Sequence, residues 1–136
     1  MGRRWSAFRS TAWENLRRGW QNGRLWWNDP DCVLLGRSLT DGEFLFHITS
    51  IYAGGGMLLS GDDMPRMTGA RLALLRKMSP PTGRAAAFDA GLRMGRLKLP
   101  GRELVFLLNW TDTEEEYAVE GVKGRVRDYW SGEEVA

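Results

Sequence analysis

One cysteine, one histidine and three lysines are all that this chain of 136 residues has of those types. With Cys32 alone no internal disulfide can form, so a reducing compartment is allowed. Cys32 has no histidine at motif spacing, which argues against a thiol nucleophile. No apolar run approaches the roughly 18 residues of a membrane span. Residues 1–24 are arginine-rich and lack the apolar core of a secretory signal, which sets the expectation at the cytoplasm. Hydrophobic residues make up 43% and charged residues 26%. That balance suits one soluble globular domain and excludes a disordered tail, a collagen-like repeat and a disulfide-rich miniprotein. Neither an internal repeat nor a low-complexity tract is present.

Tryptophan and glycine are abundant, at 7 and 17 residues. Tryptophan packs a core or offers a ring face to a ligand, and glycine at this density implies many tight turns. The charge is unevenly spread. Residues 1–24 hold six Arg against one Glu, a net of +5, whereas residues 101–136 hold four bases against nine acids, a net of −5. The basic start with interleaved Trp reads as a solvated helix face in preference to a nucleic-acid surface.

Trp5, Phe8, Ala12, Trp13, Leu16 and Trp20 recur at helical spacing, with most of the arginines elsewhere, which predicts an amphipathic helix ending near Gly19. The apolar run Arg24-Leu25-Trp26-Trp27 predicts a short buried strand, closed by Asn28-Asp29-Pro30-Asp31. Thr40-Asp41-Gly42-Glu43 fits a capping box opening a second helix, with Phe44, Ile48, Ile51 and Tyr52 on one face and Gly54-Gly55-Gly56 at its end. Met57-Leu58-Leu59-Ser60 predicts a second buried strand before Gly61-Asp62-Asp63, and a third helix follows from about Thr68 to Lys77. Two short apolar strands between helices, each ending in an acidic loop, are the pattern of parallel strands in an α/β fold. Beyond Pro80-Pro81, residues 103–110, 117–119 and 125–129 predict antiparallel β structure. A boundary falls near 79–84, giving residues 1–80 and 81–136 as two units.

Candidate chemistry concentrates in Asp29, Asp31, Asp62 and Asp63 at the two strand ends, where carboxylates can take a metal, sugar hydroxyls or a proton. No histidine lies near them and no calcium-loop motif appears, so the metal reading is weak. A turn or helix cap is the plainer role for any one of them. His47, mid-helix, reads as structural. Ser60 lacks a Gly-x-Ser-x-Gly elbow. Gly54-Gly55-Gly56 precedes a strand and does not open a helix, so it is no phosphate loop.

Trp27-Asn28-Asp29-Pro30-Asp31-Cys32, Leu39-Thr40, and Gly55-Gly56-Met57-Leu58-Leu59-Ser60-Gly61-Asp62-Asp63, in that order, resemble the late barrel of retaining α-galactosidases. The nearest match is the melibiase branch, glycoside hydrolase family 36, with relatives in family 27. Pro80-Pro81-Thr82-Gly83, Leu107-Leu108-Asn109-Trp110 and Asp128-Tyr129-Trp130-Ser131-Gly132-Glu133 extend the resemblance into that family's C-terminal β domain. It implies the last two βα units of a (β/α)8 TIM barrel, with strands at 25–28 and 57–60, followed by an incomplete antiparallel β-sandwich. It also implies that Asp31 and Cys32 line a galactose pocket, with Trp27 as floor, stacking face or core residue, and that Asn28, Asp29, Asp62 and Asp63 organise the loops.

Such enzymes use two carboxyl groups about 5–5.5 Å apart, one a nucleophile and one an acid/base. In this family the nucleophile lies in a Lys-x-Asp motif, and none of Lys77, Lys98 and Lys123 begins one. The acid/base Asp precedes the helix with which this chain starts. The expectation is therefore part of a sugar pocket with no catalytic residue, no cofactor and no metal. The partners expected are an α-galactoside or related sugar, neither nucleic acid nor a membrane, and self-association or a complementary chain through exposed barrel edges. A non-catalytic carbohydrate-binding or interaction module is the alternative.

Overall fold

The computed structural model describes residues 5–35 and 39–135. Arg3 and Arg4, counted above in the basic helix face, lie outside them. Three helices, α1 (Trp5–Arg17), α2 (Asp41–Gly54) and α3 (Gly69–Met78), precede three strands, β1 (Ala87–Phe88), β2 (Met94–Leu99) and β3 (Arg102–Leu107).

α1 buries Phe8, Ala12 and Leu16, one residue per turn, as its spacing predicts. Trp20 departs from that stripe. The helix stops at Arg17, the chain turns through a 3-10 turn at Gly19–Gln21, and Trp20 is left 58% exposed. α2 starts on the expected capping box: the Thr40 side chain accepts from the Glu43 N–H, and Glu43 reaches back to the Thr40 N–H at 2.9 Å. It buries Phe44, Phe46, His47, Ile48, Ser50, Ile51 and Tyr52, so it is covered nearly all round, as a central helix must be.

The hydrophobic core is continuous from α1 and α2 into the β region, joining Ile48, Ala53 and Met78 to Leu92, Leu97, Phe106 and Leu108. Residues on either side of 79–84 therefore share one core. Aromatic edges carry the join. Trp110 meets Trp13 at 5.2 Å and Phe46 at 4.9 Å between ring centres, both edge to face. At the far end, the Trp130 indole N–H donates to Thr49 Oγ1 at 2.9 Å, and the Tyr129 hydroxyl donates to the Lys77 carbonyl at 2.6 Å.

The strands are antiparallel in the order β1-β2-β3, with β2 and β3 in register from Met94↔Leu107 to Leu99↔Arg102. Pro100-Gly101 turns the hairpin, with Gly101 in the left-handed region at φ 76°. Among the described residues this is one three-stranded sheet, with no second sheet facing it. The strand expected at 103–110 is β3, three residues shorter at its end. Residues 117–119 form none, and 125–129 contribute a single antiparallel bridge, Arg127↔Glu134. A segment whose apolar residues find no aligned neighbour stays irregular, whatever its propensity.

The two parallel segments also differ from expectation. Leu25 lies in a turn held by its N–H and that of Arg24 on the Gln21 carbonyl, and by Gly23 N–H on the Trp26 carbonyl. Those local bonds consume the groups that a strand at 25–28 would need. Pairing begins where that strand was to end. Asn28 and Val33 run parallel to Met57–Gly61 through three hydrogen bonds: Met57 N–H to Asn28 O, Val33 N–H to Leu59 O, and Gly61 N–H to Val33 O. Only Val33↔Ser60 amounts to a bridge, and residues 57–60 are otherwise extended without being a strand.

Candidate functional site

Between its two points of pairing the first segment advances five positions, from Asn28 to Val33, where its partner advances two or three, from Met57 to Leu59 or Ser60. The excess lies within residues 29–32, the acidic loop, in which Pro30 is buried and Asp31 and Cys32 are half-buried. Its shape is set from within. Asp29 Oδ1 accepts the Asp31 N–H at 2.9 Å, and Asp31 Oδ1 accepts the Cys32 N–H at 2.7 Å. Asp31 adopts φ 73°, a left-handed backbone that Asp tolerates better than most residues. Asn15 on α1 donates from Nδ2 to the Pro30 carbonyl at 2.8 Å and ties the loop to the helix.

The second acidic loop meets the first. A Cβ added at Gly61 would touch the Cys32 Cβ at 3.0 Å, so the absent side chain lets the two segments close. Asp31 and Asp62 stand one residue before and one after that contact. The Asp62 carboxylate accepts the N–H of Leu35, a residue only 2% exposed, in a short charge-assisted bond. Asp63 is exposed and pairs with Arg66 at 3.1 Å, in the 3-10 turn Met64–Arg66. His47 Nε2 accepts the Leu34 N–H at 3.1 Å, and its ring stands edge-on to Phe8. That ring nitrogen must be unprotonated to accept, which suits a structural histidine.

Trp27 lies at the other end of the parallel pair. Gly56 there has no Cβ and so admits the Asn28 carbonyl, and the Trp27 ring edge sits over Gly83. Asn28 is fixed on both sides: its N–H donates to Asn22 Oδ1 at 2.9 Å, and its Nδ2 donates to the Arg18 carbonyl at 3.0 Å. The fold thus closes Cys32 on Gly61, one residue from Asp31 and from Asp62, and leaves Trp27, 60% exposed, at the opposite end of the ladder. Asn22 and Asn15 were not singled out in the sequence. Asn22 sits in a Gln-Asn-Gly turn and Asn15 on a polar helix face, and neither position signals that it braces a loop five or more residues away.

Beside Asp31 and Cys32, a cleft closed by Thr11, Asn15, His47 and Ser50 has a cavity volume of about 10 Å³. That is room for one water. That cleft does not admit a sugar ring. Among the described residues no three His, Cys, Asp or Glu side chains are placed to hold a metal ion, and no helix is long and apolar enough to cross a membrane. Burial, reinforced by the neighbouring Tyr129 hydroxyl, pushes Tyr52 from 10.0 up to about 12. The Tyr117 hydroxyl, with help from Arg93, holds the Glu115 carboxyl below the ordinary carboxylate range.

No family model, curated protein or solved structure matches the chain.

Proposed function

We propose that this chain is the late-barrel part of an α-galactosidase-like glycoside hydrolase, contributing to sugar binding without supplying either catalytic carboxylate. The observation that carries the reading is the side-by-side parallel course of 28–33 and 57–61, with Cys32 closed on Gly61 so that the two acidic loops adjoin. An ionised Asp accepts from paired hydroxyls, which suits a pyranose edge. The uncovered side of the pair supports it as well: Trp26, Trp27, Met57 and Leu59 are 58%, 60%, 40% and 39% exposed. Parallel segments belong to sheets buried on both faces, so such a pair is at home inside a larger barrel.

Saturation-transfer NMR with methyl α-galactoside tests the reading, alongside release of nitrophenol from the corresponding chromogenic glycoside. The expected result is weak binding that Asp31→Ala abolishes, with no turnover. Nitrophenol release that Asp31→Asn or Asp62→Asn eliminates would assign the chemistry to these residues and overturn it. A second reading, a non-catalytic carbohydrate-binding module, is favoured by the exposed indole faces of Trp20, Trp26 and Trp27. Binding that survives Asp31→Ala but fails in Trp26→Ser would select it.

A further inference from the structure

The uncovered apolar side of the parallel pair extends into the loop before it. Trp20, Leu25, Trp26 and Trp27 crowd one loop and are 58–60% exposed, and the Asn28–Met57 hydrogen bond sets Met57 and Leu59 beside them. Single exposed apolar residues are ordinary, but six on one loop and the segment bonded to it mark a contact surface. The loop is already ordered, through the bonds of Gln21, Gly23, Asn22 and Asn28 and the seat of Trp27 on Gly83. A partner docking here pays little entropy for arranging it.

Charge indicates the partner. Residues 15–28 contain Arg17, Arg18 and Arg24 and no acid, and of these Arg18 is paired with Glu14 of α1; residues 109–122 contain five acids and no base, and of these Asp112 and Glu115 are paired with Arg9 and Arg93. Two copies meeting loop to loop would set like charges together. The acidic segment of a second copy would not. Glu114, Glu116 and Glu120 on it are exposed, and Val122, 41% exposed, offers apolar surface beside them. We infer that the Trp20–Trp27 loop with Met57 and Leu59 docks a second copy of this chain through that copy's acidic 109–122 segment. The contact joins two different patches, basic-apolar to acidic-apolar, so it closes as a two-fold pair where both patches share a face and runs on head to tail where they do not. It stands on the uncovered face and the charge pattern, independently of any sugar, so a failed galactoside experiment leaves it intact.

Sedimentation equilibrium of the full chain across a concentration series, at low salt and at high salt, tests it. The expected result is concentration-dependent association that salt weakens. Trp26→Ser, Arg24→Glu and Glu116→Lys should each weaken it about tenfold, and a chain carrying both Arg24→Glu and Glu116→Lys should recover association. Circular dichroism establishes that each variant is folded, and Glu116→Lys lies on an exposed segment where folding is not at stake. A monomer at every concentration, association indifferent to salt and to these substitutions, or a double-charge variant no better than the single ones overturns the inference. So does binding to phosphatidylserine vesicles or to a single-stranded oligonucleotide in the absence of self-association, which would give the face to another occupant.

Discussion

The antiparallel hairpin and the parallel pair are both built from short apolar runs, yet one is regular and the other is held by three hydrogen bonds. β2 and β3 are joined by Pro100-Gly101, so closing the loop costs little and six residue pairs follow in register. The hairpin then lays Leu97 and Phe106 on the α2 core. The parallel segments are separated by the whole of α2, carry their apolar side chains partly outward, and pair only around Asn28, Val33 and Ser60. Local closure and a ready-made core make an antiparallel ladder self-sufficient. A parallel one depends on neighbours on both faces.

That contrast can be broken by mutation. Ile48 is fully buried in the core cluster that includes residues of both regions, so Ile48→Ala should cost about 2–5 kcal/mol of unfolding free energy in urea. A cost below 1 kcal/mol would show that α2 is not their common support. Next comes Asp62→Ala, which strands the buried Leu35 N–H and should cost about 1–3 kcal/mol. Asp63→Ala loses only an exposed ion pair, with an expected cost below about 1 kcal/mol. Equal costs would mean that Asp62 does not hold the two loops together.

Alkaline pH probes the other side of the comparison, where Tyr52 on α2 meets the C-terminal turn. The folded state holds the Tyr52 proton more tightly than the unfolded chain, whose ordinary value is 10.0. Stability from this group is therefore complete below pH 10 and is lost as pH rises towards about 12. Ultraviolet titration of the tyrosines should show one group ionising late, and the thermal midpoint should fall over the same window. The smallest effect belongs to the parallel pair's outer face: Trp26→Ser should change stability by no more than about 0.5 kcal/mol, because the ring is mostly in water already. A large loss there would mean that the face is packed within the single chain.

Much of the helical frame was legible. The Thr40–Glu43 capping box marked the start of α2, and the 3.6-residue period of Phe8, Ala12 and Leu16 gave the buried face of α1. β2 was not recognised, although Pro100-Gly101 between apolar runs is a turn signal that pointed to it. The acidic boxes were legible as loops. That Asp62 would reach across to Leu35, or Asn15 to Pro30, was not, because nothing local distinguishes a side chain that bonds its own turn from one that braces a distant segment. Trp20, Trp26 and Trp27 were ambiguous for the same reason: hydrophobicity states a preference for burial and cannot say whether a neighbour exists to provide it.

By itself the sequence determined where helices begin, which residues face inward on α1 and α2, and that two acidic loops follow two apolar runs. These are short-range consequences of dihedral preference, capping and periodicity. Only the tertiary structure decided that residues 28 and 33, and not 25–28, pair with 57–61, that Cys32 closes on Gly61, and that the tryptophans at 20, 26 and 27 remain outside. Those outcomes depend on which groups distant in the chain compete for the same hydrogen bonds and the same apolar contacts, and that competition is settled only when the whole core has formed.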